Sequence, residues 1–270
     1  MPNHSIHFSR AICRWPARSV AQGLRAVDRG APDPDLFEAE HMAYVAALRD
    51  AGAMVTLLEP LEEHPDSCFI EDPALCLKGV AIVLRPGAPS RAGEAVRLKP
   101  VLEGIFPEVW ELPGRGVVDG GDILCFDDDV MVGLSARTDR AGVDALRPLV
   151  EALGYRLRIV ETPPSLLHFK TEVSLLDPET VLASRKLARA GCLDGLRVIE
   201  TAPGEEAAAN AIRVNDRVLL SAGHPRTAGR LDAAGYKVVQ LPMTQATLLD
   251  GGLSCLSLRF SLPAPGAVAR

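Results

Sequence analysis

The stretch ALRDAGAMVTLLEP, residues 47–60, runs from a helical pattern through a glycine into a β-rich segment that stops on proline. Upstream of it, Asp33 and Pro34 suit the cap and first turn of a helix, and Gly52 suits its left-handed end. The same succession recurs as VLEGIFPEVWELP, LVEALGYRLRIVETP, CLDGLRVIETAP and RLDAAGYKVVQLP. The five copies close on Pro60, Pro113, Pro163, Pro203 and Pro242, at successive spacings of 53, 50, 40 and 39 residues. Such spacings belong to repeated supersecondary units. Between the copies lie further β-rich runs, AIVLRP, DVMVGLS, TEVSLLDPETVLAS and AIRVNDRVLLSAG. The last two read as hairpins turning at Asp177-Pro178 and Asn215-Asp216.

Each unit therefore holds several strands and one covering helix. Five such units most simply close radially into a five-bladed α/β propeller, which hides the sheet edges. A doubly wound α/β sheet is the alternative, but hairpins inside the units argue for mixed rather than parallel sheets. No stretch rich in Gly, Ser or Pro divides the chain, so residues 1–262 read as a single α/β propeller domain and 263–270 as a short C-terminal tail.

Composition narrows the function. With 270 residues, 47% of them hydrophobic, the chain can build a full core. At a formal charge of -6, with Lys and Arg scattered, a phosphate backbone is not an expected partner, so nucleic acid is set aside. No run of 18 apolar residues and no signal-peptide pattern occurs, so a soluble cytoplasmic protein without a membrane partner is expected. The six cysteines form no CxxC pair and no cysteine–histidine cluster of zinc spacing. They read as reduced thiols, with no metal and no organic cofactor expected. A homo-oligomer is compatible with all of this.

Three segments place acidic or thiol groups beside turns: HPDSCFIEDPALCL, VVDGGDILCF and LLDGGLSCLSLRF. The DGG at 119–121 and at 250–252 suggests equivalent turns in different units, and in a radial fold such turns converge near the axis. A pocket lined by Asp66, Glu71, Asp72, Asp119, Asp122 and Cys255 follows. So many carboxylates favour a small cationic ligand, and a planar guanidinium can pair with two of them. His168, in LLHFKTEV, stands between an apolar turn and a strand start, where it could shuttle a proton for Cys255. Arg85 and Arg137 each follow a β-rich run and could grip a carboxylate. Solvated turn carboxylates, a structural histidine and exposed strand-end arginines are the ordinary readings of the same residues.

Taken together, PDSCFIEDPALC, AIVLRPGAPSR, VVDGGDIL, GLSARTDRAG, LLHFKTEVS, AANAIRVNDRVLLSAGHPRT and DGGLSCLSLRF resemble, in order and nearly end to end, the dimethylarginine dimethylaminohydrolase family of the guanidine-modifying (pentein) superfamily. The resemblance implies a five-unit α/β propeller that hydrolyses asymmetric dimethylarginine to citrulline and dimethylamine, without metal or organic cofactor. It implies Cys255 as nucleophile, His168 as general acid and base, and Asp119 as the orienting carboxylate, a position where some bacterial members carry glutamate. It further implies Asp72 for the guanidinium nitrogens, Glu71 as a further substrate-binding residue, Arg85 and Arg137 for the α-carboxylate, and Asp66 with main-chain oxygens near Leu24 and Leu249 for the α-ammonium. Leu24 would lie on a mobile lid. The alternatives are an arginine deiminase releasing ammonia from unmethylated arginine, an amidinotransferase, and a non-catalytic binding protein on the same fold.

Overall fold

The computed structural model describes residues 5–163 and 166–262; the expected tail at 263–270 lies outside the described residues. The first segment gives β1 (Arg10–Arg14), α1 (Pro34–Asp50) and β2 (Met54–Leu58). The second unit follows as β3 (Ala74–Leu77), β4 (Val80–Val83), α2 (Ala92–Glu103) and β5 (Glu108–Glu111). The third is β6 (Ile123–Cys125), β7 (Asp129–Leu134), α3 (Arg140–Ala152) and β8 (Arg156–Glu161). The fourth is β9 (Val173–Asp177), β10 (Thr180–Ala183), the single turn α4 (Arg185–Ala188) and β11 (Arg197–Glu200). The fifth is β12 (Ile212–Val214), β13 (Arg217–Ser221), α5 (Pro225–Ala233) and β14 (Lys237–Leu241), after which β15 (Leu258–Phe260) is the last described strand.

These strands form five three-stranded sheets, each with one antiparallel and one parallel pairing. In units two to five, a hairpin supplies the antiparallel pair and the helix carries the chain to the parallel third strand. The first sheet is completed from the far end of the chain, because β15 pairs antiparallel with β1 while β2 pairs parallel with it. The architecture is a five-bladed α/β propeller, as the repeats implied.

Local chemistry explains the elements. Asp33 caps α1 by accepting from the N–H groups of Asp35 and Leu36, Pro34 opens the helix, and Gly52 leaves it at φ +93°. The β12–β13 turn falls on Asn215-Asp216 as expected, with Asn215 at φ +56°. The β9–β10 turn sits one residue later than expected, on Pro178-Glu179, because Asp177 still belongs to β9 and pairs with Thr180.

The core is divided among five clusters, each at the junction of two successive units. Along β3 the alternation is plain: Leu75 and Leu77 pack towards the third unit with Ile123, Val130 and Val132, whereas Ala74 and Cys76 face the first with Ile12, Leu258 and Phe260. Each helix wedges between its own sheet and the preceding one, as α3 does with Val143, Leu146 and Val150 against β3 and β4. Both faces of each inner strand are thereby buried, leaving the segments that lead into those strands free to build a site.

Candidate active site

The segments entering β3, β6, β9 and β15 meet at one end of the ring. They bring Asp66, Phe69 and Asp72 from the first, Leu167 and His168 from the third, and Leu249 to Gly251 with Cys255 from the last, into one cleft that also takes Leu24, Arg91 and Arg137. Cys255 sits in a 3₁₀ turn, Ser254–Leu256, whose entry is fixed by the Asn210 Oδ1 atom accepting the Ser254 N–H at 3.0 Å. The paired glycines of the two DGG turns are there for space. A Cβ on Gly252 would meet Asn210 at 2.4 Å, one on Gly120 the Glu71 carbonyl at 2.1 Å, and one on Gly121 both His168 Nδ1 at 2.8 Å and Asp72 Oδ1 at 2.9 Å. Gly121→Ala is therefore expected to push His168 and Asp72 off their positions. The citrulline formation that the sequence resemblance implies should then fall by at least about tenfold, since small misplacements of the groups it assigns are costly; unchanged steady-state kinetics would contradict this.

Asp119 is wholly buried behind the histidine. Its Oδ2 lies 2.9 Å from His168 Nε2, and its Oδ1 accepts the Gly87 N–H at 2.7 Å. Asp72 Oδ1 accepts the Gly121 N–H at 2.9 Å and stands 4.0 Å from His168 Nε2, while its Oδ2 pairs with Arg91. Burial alone would lower the His168 pKa, but the Asp72 charge, the bond to Asp119 and the Asp122 charge outweigh it and push the imidazolium up to about 9. Burial also acts to raise Asp72, yet His168 and Arg91 hold that carboxyl below its ordinary range. Cys255 is partly accessible but surrounded by protein, and burial with the Glu71 and Asp72 charges pushes its thiol up to about 11. At neutral pH the site thus pairs a neutral thiol with a charged histidine.

Asp72, Asp119 and His168 each offer a ligand atom within 4.8 Å of the others. Those atoms are already spent on one another, on Arg91 and on backbone N–H groups. The trio is a charge and hydrogen-bond network around the histidine.

No family model matches the chain. It is 37% identical to the N(G),N(G)-dimethylarginine dimethylaminohydrolase of Pseudomonas aeruginosa over 94% of this chain and 100% of that protein. It is 33% identical to that of Streptomyces coelicolor, over 93% and 96%. The chain belongs to the dimethylarginine dimethylaminohydrolase family. Among solved structures, the Pseudomonas aeruginosa enzyme, as a cysteine-to-serine variant complexed with citrulline, superposes with a TM-score of 0.91 at 36% identity, covering 94% of this chain and 100% of that one. A dimethylarginine dimethylaminohydrolase adduct of a histidine-to-glycine variant with S-methyl-L-thiocitrulline gives 0.90 at 36%, with the same coverage. The N-terminal domain of ArgZ, an arginine dihydrolase, shares the fold at 19% identity and a TM-score of 0.82, over 94% of this chain and 98% of that one.

Two of the family residues inferred from sequence lie elsewhere. Arg85 is not in the cleft: its guanidinium donates to the Gly116 carbonyl at 2.7 Å and the Leu112 carbonyl at 3.1 Å, tying two loops together. Glu71 is turned to the other side of its strand entry, where Lys170 at 2.6 Å and Arg259 at 2.7 Å hold it. Asp122, expected in the pocket, instead joins three segments, accepting from Ser135 Oγ, Thr138 Oγ1 and the Phe169 N–H. Among the cleft-lining residues that the sequence reading did not single out is Arg91. It is buried in the cleft between Asp72 and Glu94, and its Nη2 also donates to the Phe69 carbonyl at 2.9 Å. Its signal was present in APSR, where a 3₁₀ turn over Pro89–Arg91 points the side chain inward.

Proposed function

We propose that the protein hydrolyses Nω-methylated arginine, with asymmetric dimethylarginine as substrate, to citrulline and dimethylamine through a covalent thiouronium on Cys255. The observation that carries this reading is a buried, carboxylate-held histidine sharing one cleft with a cysteine and the carboxylates of Asp66 and Asp72, in a chain that belongs to this family. One domain, residues 1–262, would supply every group.

Asp72 receives the guanidinium N–H groups and turns the central carbon towards Cys255. Arg91 and Arg137 hold the α-carboxylate by charge-assisted bonds, and Asp66 with the main chain near Leu24 and Leu249 takes the α-ammonium. The bound guanidinium stabilises the thiolate, so a thiol near 11 is ionised as substrate arrives. The thiolate attacks the central carbon and His168 gives its proton to the departing dimethylamine. The neutral imidazole then takes a proton from water, hydroxide adds to the thiouronium, and collapse expels the Cys255 thiolate while the adduct's hydroxyl proton passes through solvent to the dimethylamine, leaving citrulline. Asp119 keeps the ring aligned through both halves.

The cleft holds only about 30 Å³, space for about two waters. Substrate entry therefore requires the Leu24 segment to swing away from Asp66, whose Oδ1 now accepts the Leu24 N–H at 2.9 Å. The reactive pair, imidazolium and thiolate, carries one proton fewer than the resting pair. The rate kcat/KM is accordingly expected to climb about tenfold per unit between pH 7 and 9 and to bend near the His168 value of about 9. A flat profile over that interval would remove the assigned charge states.

The deciding experiment feeds asymmetric dimethylarginine and arginine separately to purified protein and follows citrulline, dimethylamine and ammonia. Citrulline with dimethylamine, and little turnover of arginine, is the expected result. Citrulline with ammonia from arginine would make the protein a deiminase.

A further inference from the structure

The turn that carries Cys255, Ser254–Leu256, leads through Ser257 into β15, and one residue of that strand reaches back to it. Arg259 Nη1 donates to the Ser254 carbonyl at 3.0 Å, the Ser257 carbonyl at 2.9 Å and Ser257 Oγ at 2.9 Å. Its Nη2 donates to Glu71 Oε1 at 2.7 Å. Glu71 in turn gives its own N–H to the Cys255 carbonyl at 3.2 Å. The Ser257 hydroxyl is shared with Tyr44, whose Oη stands 2.6 Å away.

One guanidinium therefore brackets the cysteine, gripping the residue before it and the second residue after it. It also fixes the side chain of the residue whose N–H meets Cys255 itself. Arg259, Glu71, Ser254 and Ser257 line a second cavity of about 120 Å³ inside the ring of β3, β6, β9, β12 and β15, and none of the four lines the cleft. Arg259 can thus act on the cleft only through the turn.

The turn needs this side chain more than the strand does. Arg259 pairs with Ala11 through its backbone, and Glu71 keeps Lys170 at 2.6 Å if the guanidinium is removed. A lysine cannot copy the grip, because its ammonium is a point charge without the planar fork that spans separate oxygens in fixed directions. We propose that Arg259 is a positioning residue for the reaction in the cleft: by holding the Ser254 and Ser257 backbone from the cavity side, it sets where the Cys255 sulfur stands relative to His168. The inference rests on the reading of Cys255 as nucleophile.

The test compares the parent protein with Arg259→Lys and Arg259→Ala, following citrulline from asymmetric dimethylarginine over a full range of substrate. In both variants kcat should fall at least about tenfold, since a misplacement of about 1 Å in a reacting group can cost about 10²-fold. KM should stay within about threefold, because Asp66, Asp72, Arg91 and Arg137, the proposed substrate contacts, are untouched. In Arg259→Ala, millimolar guanidinium chloride should raise kcat at least about threefold over sodium chloride at equal ionic strength, by remaking the charge-assisted bonds to the two carbonyls. The ion has a route to that place, because the Arg259 side chain is 12% exposed and faces the cavity. Parental kcat in Arg259→Lys, a KM that rises as kcat falls, or no response to guanidinium would overturn the inference and leave the cleft reaction standing. A parent protein that forms no citrulline would overturn the reading of the cleft and this inference with it. Where Arg259→Ala does not fold, the kinetics of Arg259→Lys decide alone.

Discussion

Cys255→Ser should lower citrulline formation by at least about 10³-fold, because a hydroxyl cannot supply the nucleophile that a substrate-stabilised thiolate provides. Folding should be spared. The side chain is only partly buried at the edge of a cluster that includes Val20, Phe69 and Leu253, and the oxygen-for-sulfur change leaves the Ser254–Leu256 turn and its Asn210 anchor in place. The expected change in unfolding free energy is below about 1 kcal/mol. Product assay and urea unfolding on the same preparation check both halves. Retained turnover would move the nucleophile elsewhere, and a large stability loss would make the residue structural.

Asp72→Ala should fail on both counts. The substitution removes the carboxylate proposed to receive the guanidinium and leaves Arg91, buried alongside Glu94, with an uncompensated share of charge. Breaking one side of a buried pair costs about 3 kcal/mol. Asp72→Asn separates the effects: the amide oxygen can still accept the Gly121 N–H, so more stability is retained, yet the missing charge keeps turnover low. The sign with pH is set by the depressed folded-state pKa of Asp72. Its stabilising contribution is complete above the ordinary value of 3.8 and is lost as pH falls through the lower folded value. The gap between the parent protein and Asp72→Asn in urea unfolding should therefore begin to narrow below about pH 4 and close as pH falls through the folded value of about 2. A gap that persists in acid would show that the carboxylate is not the source.

The five-unit ring was legible because each unit ends its outer strand on proline and its helix-to-strand turn often on glycine, signals that depend on local backbone alone. The meeting of Cys255, His168, Asp72 and Asp119 was legible because all lie in segments entering inner strands, which a ring forces together. Which neighbour points where was not. Asp72 and Glu71 are adjacent in sequence and diverge into separate cavities, and a one-residue change of side decides their partners. Arg85 and Arg91 belong to one motif, and the turn between them, ending at Pro89–Arg91, determines which guanidinium reaches the cleft. The β9–β10 turn slipped by one residue because Asp-Pro marks a turn without marking its first corner.

The ring closes through β15, which returns to β1 only three positions after Cys255. During synthesis from the amino end, the strands of four sheets are made before the proposed nucleophile is. The thiol then arrives together with the strand that locks the last seam. With Cys255 as the proposed nucleophile, a chain that lacks β15 is expected to lose both the pairing that completes the first sheet and the activity.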